Sequence, residues 1–178
     1  MDSVNITAQD GTRIACERYG EGPPVILVGA AAGERALAGL LARRFSVVLY
    51  RRRGGAGAVE REIGDLALLL EAVGGGAAVH GTADGAGLAL AAAAAGVPVG
   101  AVSVYEPPYA DGLGRVHARV LVVDGGSSPA GTRRAARTVA AAVPRGRHRT
   151  LTGQTHEVAP HVLAPVLEQF LDEEVAGG

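Results

Sequence analysis

The 178 residues carry 17 basic and 18 acidic side chains, a net charge of −1 scattered along the chain, which gives no electrostatic footprint for nucleic acid or for a membrane surface. The length fits one domain, residues 1–178, with a core of its own and no room for a second. Hydrophobic residues make up 48% of the chain but aromatic ones only 3%, so that core has to be assembled from alanine, valine and leucine.

The first elements read as a hairpin, with SVNITA and TRIACERY flanking a turn at Gln9, Asp10 and Gly11. The polar N-terminus lacks the charged-then-apolar pattern of a secretory leader, and Cys16, the single cysteine, permits no internal disulfide. Both features lead to the expectation of a cytoplasmic protein. PVILVG is a continuous apolar run of the kind buried on both faces of a parallel sheet. ERALAGLLARR then has a helical period, FSVVLY is a strand, and an arginine- and glycine-rich loop follows. VEREIGDLALLLEAVGG places Ile63, Leu66, Leu70 and Val73 on one helical stripe. The strand AAVH runs directly into the helix DGAGLALAAAAA, and VPVGAVSVY and ARVLVVD are further strands. The apolar stretch from Gly87 to Val104 is divided by Gly96 and Pro98, which makes it a buried helix and a buried strand, not a membrane span. GTRRAARTVAAAV is a helix, HRTLTG a strand, and VAPHVLAPVLEQFLDEEV a closing helix despite two prolines.

This alternation predicts an α/β fold: a mostly parallel sheet with helices on both faces and an N-terminal hairpin. One connection stands out. A parallel crossover ordinarily contains a helix, yet the segment from Tyr105 to Arg119 holds Pro107, Pro108, Gly112 and Gly114 and has little room for one. A bare sheet face is expected there, and with it a homodimer in which a second subunit covers the open side of the molecule; the alternative is that the segment folds over the sheet as irregular chain.

The chemistry concentrates around GTADG, residues 81 to 85. A side chain projected from a sharp strand-to-helix turn crowds its neighbours, so small residues are needed two positions to either side, and Gly81 and Gly85 occupy those positions around Ala83. Together with VEREIGDL at 59 to 66, GTADGAGLAL at 81 to 90, VYEPP at 104 to 108 and LTGQTHEVAP at 151 to 160, the chain resembles the α/β-hydrolase family, in particular its small bacterial members, over nearly its whole length. The resemblance implies an α/β-hydrolase fold and a reaction at the elbow, but the position where the family carries its nucleophilic serine is Ala83, and a methyl group cannot attack a carbonyl.

Asp84 is a poor substitute, because the one-residue shift would put Thr82 and Ala86 where the glycines belong, and ordinary helix capping accounts for it. By resemblance His156 is the base, and the backbone N–H groups of Asp84 and Ala30 form the oxyanion hole. The acid that orients the histidine is commonly found at the position of Ser128, which has no carboxylate. Glu106, just after SVY, is the first choice to replace it, and Asp124, at the end of the next strand, the second. The family's helical cap is reduced or missing, since only YADGLG separates Pro108 from the following segment. The runs RRR at 51 to 53 and RGRHR at 145 to 149 read as solvated charge, with Arg51 or Arg52 the candidates for an anionic substrate group. No histidine spacing suits a metal, no glycine pattern suits a nucleotide, and no cofactor is expected. The ligand is a small molecule.

Three functional readings follow. In the first, the chain is an enzyme without a covalent nucleophile, a lyase, isomerase or cyclase in which His156 moves a proton of a carbonyl-bearing, for example polyketide-like, molecule. The second is a serine ester hydrolase inactivated by an introduced Ser-to-Ala change at Ala83. In the third the fold is a non-catalytic small-molecule binder.

Overall fold

A computed structural model describes residues 2–29, 32–53 and 58–175. The chain runs β1 (Asp2–Thr7), β2 (Arg13–Tyr19), β3 (Pro24–Val28), α1 (Ala32–Leu41), β4 (Ser46–Tyr50), α2 (Ala58–Ala72), β5 (Ala78–Thr82), α3 (Asp84–Ala94), β6 (Ala101–Tyr105), β7 (Arg119–Gly125), α4 (Ala130–Ala142), β8 (Gly146–Leu151) and α5 (Pro160–Val175). The eight strands form one sheet in the order β1-β2-β4-β3-β5-β6-β7-β8, antiparallel at β1-β2 and β2-β4 and parallel from β4 onward. This is the mostly parallel sheet with an N-terminal hairpin that the alternation predicts.

The central strands are short and apolar because both their faces are covered. Ile26, Val79, Val104 and Val122 point into one core, shared with α2, α3 and α4. Leu27, Leu49, Tyr105 and Val123 point into a second, shared with α1 and α5. The alanine-rich α3 is packed against the middle of the sheet, where its small side chains let the helix approach closely: Ala86, Ala89 and Ala92 are fully buried. It ends at Gly96, in the left-handed region at φ +88°, with the Val97 N–H bonded back to the Ala92 carbonyl. This turn occupies the start of the predicted strand VPVGAVSVY and delays it to Ala101. Among the described residues no helix is long and apolar enough to cross a membrane.

The connection from β6 to β7 corrects one expectation. It contains no crossover helix, only a 3-10 turn at Leu113–Arg115, yet the sheet is not bare there. Leu113 and Val116 are buried in the core beside α3 and α4, so irregular chain covers the sheet there.

The loop after β4 and the EREIGDL helix, set apart in the sequence as two motifs, form one network. Arg52 donates two hydrogen bonds to Glu62 Oε2, at 3.1 and 2.7 Å. Arg53 forks onto both oxygens of Asp65, at 2.7 Å each, and reaches Asp10 as well. Tyr50 donates to Asp65 at 2.9 Å. Glu62 and Asp65 are buried, and such carboxylates are tolerable only when paired. Arg52 is therefore committed to the scaffold and is not available to a substrate anion.

His80, on β5, is also fully buried. Its Nδ1 lies 2.9 Å from Ser103 Oγ, and its Nε2 has no partner among the described residues. Loss of hydration lowers its pKa from 6.5 to about 4, with Ser103 opposing only in part. The folded state thus keeps the ring neutral while the unfolded chain takes up a proton below about pH 6.5, so the associated stability is present above that pH and lost as the pH falls toward 4. The loss over this window amounts to roughly 3 kcal/mol. Urea melts from pH 7 down to pH 4.5 are expected to show His80→Leu losing stability less steeply than the unsubstituted protein. Parallel slopes would mean that His80 is hydrated or paired in the native state.

Candidate active site

The residues singled out in the sequence converge at the carboxyl ends of the parallel strands, where the loops of an open α/β sheet form their crevice. Ala83 stands between β5 and α3 with φ 46° and ψ −114°, a backbone conformation that a residue with a side chain adopts at a cost of about 1–3 kcal/mol. It is held there from both sides: its N–H donates to the Tyr105 carbonyl at 3.1 Å and its own carbonyl accepts from Gly87 at 3.1 Å. The flanking glycines are sterically required. A Cβ on Gly81 would lie 2.4 Å from the Gly85 carbonyl, and one on Gly85 would lie 2.3 Å from the carbonyl oxygen of Val28. The sharp turn and its small neighbours are therefore held by packing around a methyl side chain.

Glu106 follows directly on β6 and also has a positive φ, 47°. The carboxylate is buried and both its oxygens are engaged. Oε1 accepts from Ser128 Oγ at 2.5 Å and from the Gly125 N–H at 3.1 Å, and Oε2 lies 2.9 Å from His156 Nδ1. Ser128, at the position where the family commonly keeps its acid, here donates to an acid brought in from the neighbouring strand.

The histidine loop is braced from beneath. Tyr105 donates to the Thr155 carbonyl at 2.5 Å, Gln154 Oε1 accepts from the Ala159 N–H at 2.9 Å, and the Gln154 carbonyl accepts from Ser127. Burial, and after it the Glu106 and Asp124 carboxylates, hold the Tyr105 hydroxyl well above its ordinary pKa, so it remains a donor. Asp124 is buried on the other face of β7, where its Oδ2 lies 3.0 Å from His148 Nε2. The structure brings it to a different histidine.

His156 and Ala83 line one cleft of about 680 Å³, together with Thr82, Asp84, Glu34 and Leu163. The His156 side chain is 67% exposed, in keeping with the short segment between Pro108 and β7. Asp84 opens α3 and lines the cleft, and its N–H belongs to the first turn, which has no partner within the helix. Ala30 lies outside the described residues. One cleft residue, Glu34, carried no signal in the sequence. Thr82 donates to Glu34 Oε1 at 2.8 Å, and Glu34, in the first turn of α1, lies against Gly29. Among the described residues no cluster of His, Cys, Asp and Glu could hold a metal ion.

No family model and no curated protein matches the chain. Among solved structures, an α/β hydrolase from Sphaerobacter thermophilus is 33% identical and superposes with a TM-score of 0.86, over 94% of this chain and 100% of that one. A serine hydrolase involved in carbazole degradation (16% identity, TM-score 0.81, 96% and 99% covered) shares the fold. So does a thermophilic esterase from Thermogutta terrifontis (16%, 0.81, 98% and 99%). The sheet order, the glycine-flanked elbow and the similarity to the Sphaerobacter protein agree: the chain belongs to the α/β-hydrolase family.

Proposed function

We propose that the protein is an α/β-hydrolase-fold enzyme that works without a covalent nucleophile, as a lyase, isomerase or cyclase on a carbonyl-bearing small molecule. The observation that carries this reading is the 2.9 Å contact of His156 Nδ1 with Glu106 Oε2, His156 lining the same cleft as Ala83. A carboxylate accepts the Nδ1 proton, so Nε2 keeps its lone pair and can take a proton from carbon or from water. The charge then developing on the substrate oxygen is met by the backbone N–H at the start of α3. Where a serine would project, the methyl leaves space and no competing covalent path.

Proton abstraction can be measured without knowing the natural substrate, as uptake of deuterium from D2O next to the carbonyl in a panel of aryl ketones. The unsubstituted protein is expected to accelerate uptake and His156→Ala to lower it by about 100-fold. Glu106→Gln should lower it about tenfold or more, through the tautomer and orientation of the ring, with Asp124→Asn near the unsubstituted rate. Equal uptake with and without His156 would remove its role as base. A larger loss in Asp124→Asn than in Glu106→Gln would move the orienting role to Asp124.

A second reading is a serine ester hydrolase in which alanine has replaced the nucleophile. It is favoured by the strained backbone at Ala83, a cost that a methyl group does nothing to justify. On that reading the unsubstituted protein shows no deuterium uptake on any ketone.

A further inference from the structure

Glu34 is the one carboxylate that reaches into the cleft from α1, and His156 does not use it. It is half-buried, and the Thr82 hydroxyl holds Oε1 at 2.8 Å. Its side chain is also wedged against the backbone of Gly29, where a Cβ would stand 2.9 Å from Oε1. A carboxylate can accept about four hydrogen bonds, and among the described residues one is made, from Thr82. Among the described residues no arginine or histidine pairs with it.

The local charge balance is negative. The starts of α1 and α3 each contribute roughly half a positive charge to the cleft. Against them stand three full carboxylates that line it, Glu34, Asp84 and Glu157, and no arginine is among the lining residues. Asp84 and Glu157 are exposed and screened by water, whereas Glu34 is sheltered and fixed in place, so it sets the sign a ligand meets.

We infer that Glu34 selects a cationic ligand: the cleft takes a small molecule bearing a protonated amine, which pairs with Glu34 while its reacting part lies under His156. This rests on the cleft being the ligand site of the proposed function, but it does not depend on turnover.

The test is calorimetric titration with three probes of one shape, benzylammonium, benzyl alcohol and benzoate, at neutral pH and low salt. Benzylammonium is expected to bind about tenfold more tightly than benzyl alcohol, with benzoate the weakest, and added salt should narrow the gap. Glu34→Gln keeps an acceptor for Thr82 and therefore the fold, verified by an unchanged melting temperature. It is expected to remove the preference, while Asp84→Asn and Glu157→Gln retain most of it. Equal or reversed affinities in the unsubstituted protein, or a preference that survives Glu34→Gln, would overturn the inference. Benzylammonium binding without any deuterium uptake would leave the inference standing and the proposed reaction refuted. Uptake on neutral ketones with no preference for the amine would do the reverse.

Discussion

Ala83→Ser is expected to turn the protein into an esterase, hydrolysing short-chain aryl esters about 1,000-fold faster than the unsubstituted chain. The expectation follows from what surrounds position 83. Its φ of 46° is already the strained geometry that projects a side chain out of the turn, and its N–H and carbonyl are already committed to Tyr105 and Gly87. The new Oγ therefore needs no backbone movement to enter the cleft that His156 lines. Glu106 already holds the histidine ring from the Nδ1 side. Hydrolysis should vanish again in Ala83→Ser combined with His156→Ala, which separates a restored triad from adventitious catalysis by a surface serine. A folded Ala83→Ser protein with no added activity would mean that the base and backbone donors do not converge on position 83, and the proposed proton transfer would then stand or fall on deuterium uptake alone. Gain of ester hydrolysis alone leaves the choice between the two functional readings to deuterium uptake by the unsubstituted protein. Uptake together with gain describes an enzyme using the same base without a nucleophile, and gain without uptake describes a disarmed hydrolase.

Much of this framework was legible in the sequence because it is encoded locally. Strand and helix periods, the glycines at 81 and 85, and the run DGAGLAL leaving a strand all depend on neighbours within a few residues. The meeting of Glu106 and His156 could be read only as a preference between two acids, since it depends on which face of the sheet each carboxylate takes. Glu106 leaves the end of β6 toward the histidine loop. Asp124 falls on the opposite face of β7, beside His148. Nothing in the composition of GERALAGLL marks Glu34 as a cleft residue either, because its place is set by contacts with Thr82 and Gly29, which are distant from it or outside its helix. The arginine run was misread for the same reason. Its partners Glu62 and Asp65 lie on the next helix, and a charge that looks solvated in sequence turns out to be half of a buried pair. The segment after Pro108 looked too poor in structure to cover a sheet, yet two apolar residues, Leu113 and Val116, placed on the core side are enough.

Gly85→Ala should be among the most damaging single-methyl changes in the protein, at about 3 kcal/mol or more, which is about 6–12 °C in melting temperature for a chain of this size. The added Cβ would stand 2.3 Å from the carbonyl oxygen of Val28, and that oxygen cannot move aside. It belongs to β3, which is bonded to β4 on one side and β5 on the other. Relief could come only by lifting α3 off the sheet, which would open the core around Ala86, Leu88 and Ala89, all of them buried. Gly81→Ala meets the Gly85 carbonyl at 2.4 Å from the other side of the same turn and should behave alike. Gly64, inside α2, is the internal control. A Cβ there meets nothing within 4 Å, so Gly64→Ala should raise stability by about 0.5–1 kcal/mol through helix propensity alone. Denaturant melts of the three variants would decide the matter. Losses at 81 and 85 with a gain at 64 would mean that the glycines of the elbow are kept by packing between α3 and the sheet, and therefore that they are required for the fold whether or not any nucleophile stands between them. Unchanged stability in Gly85→Ala would mean that α3 sits further from β3 than described, and the alignment of position 83 with His156 would have to be redrawn.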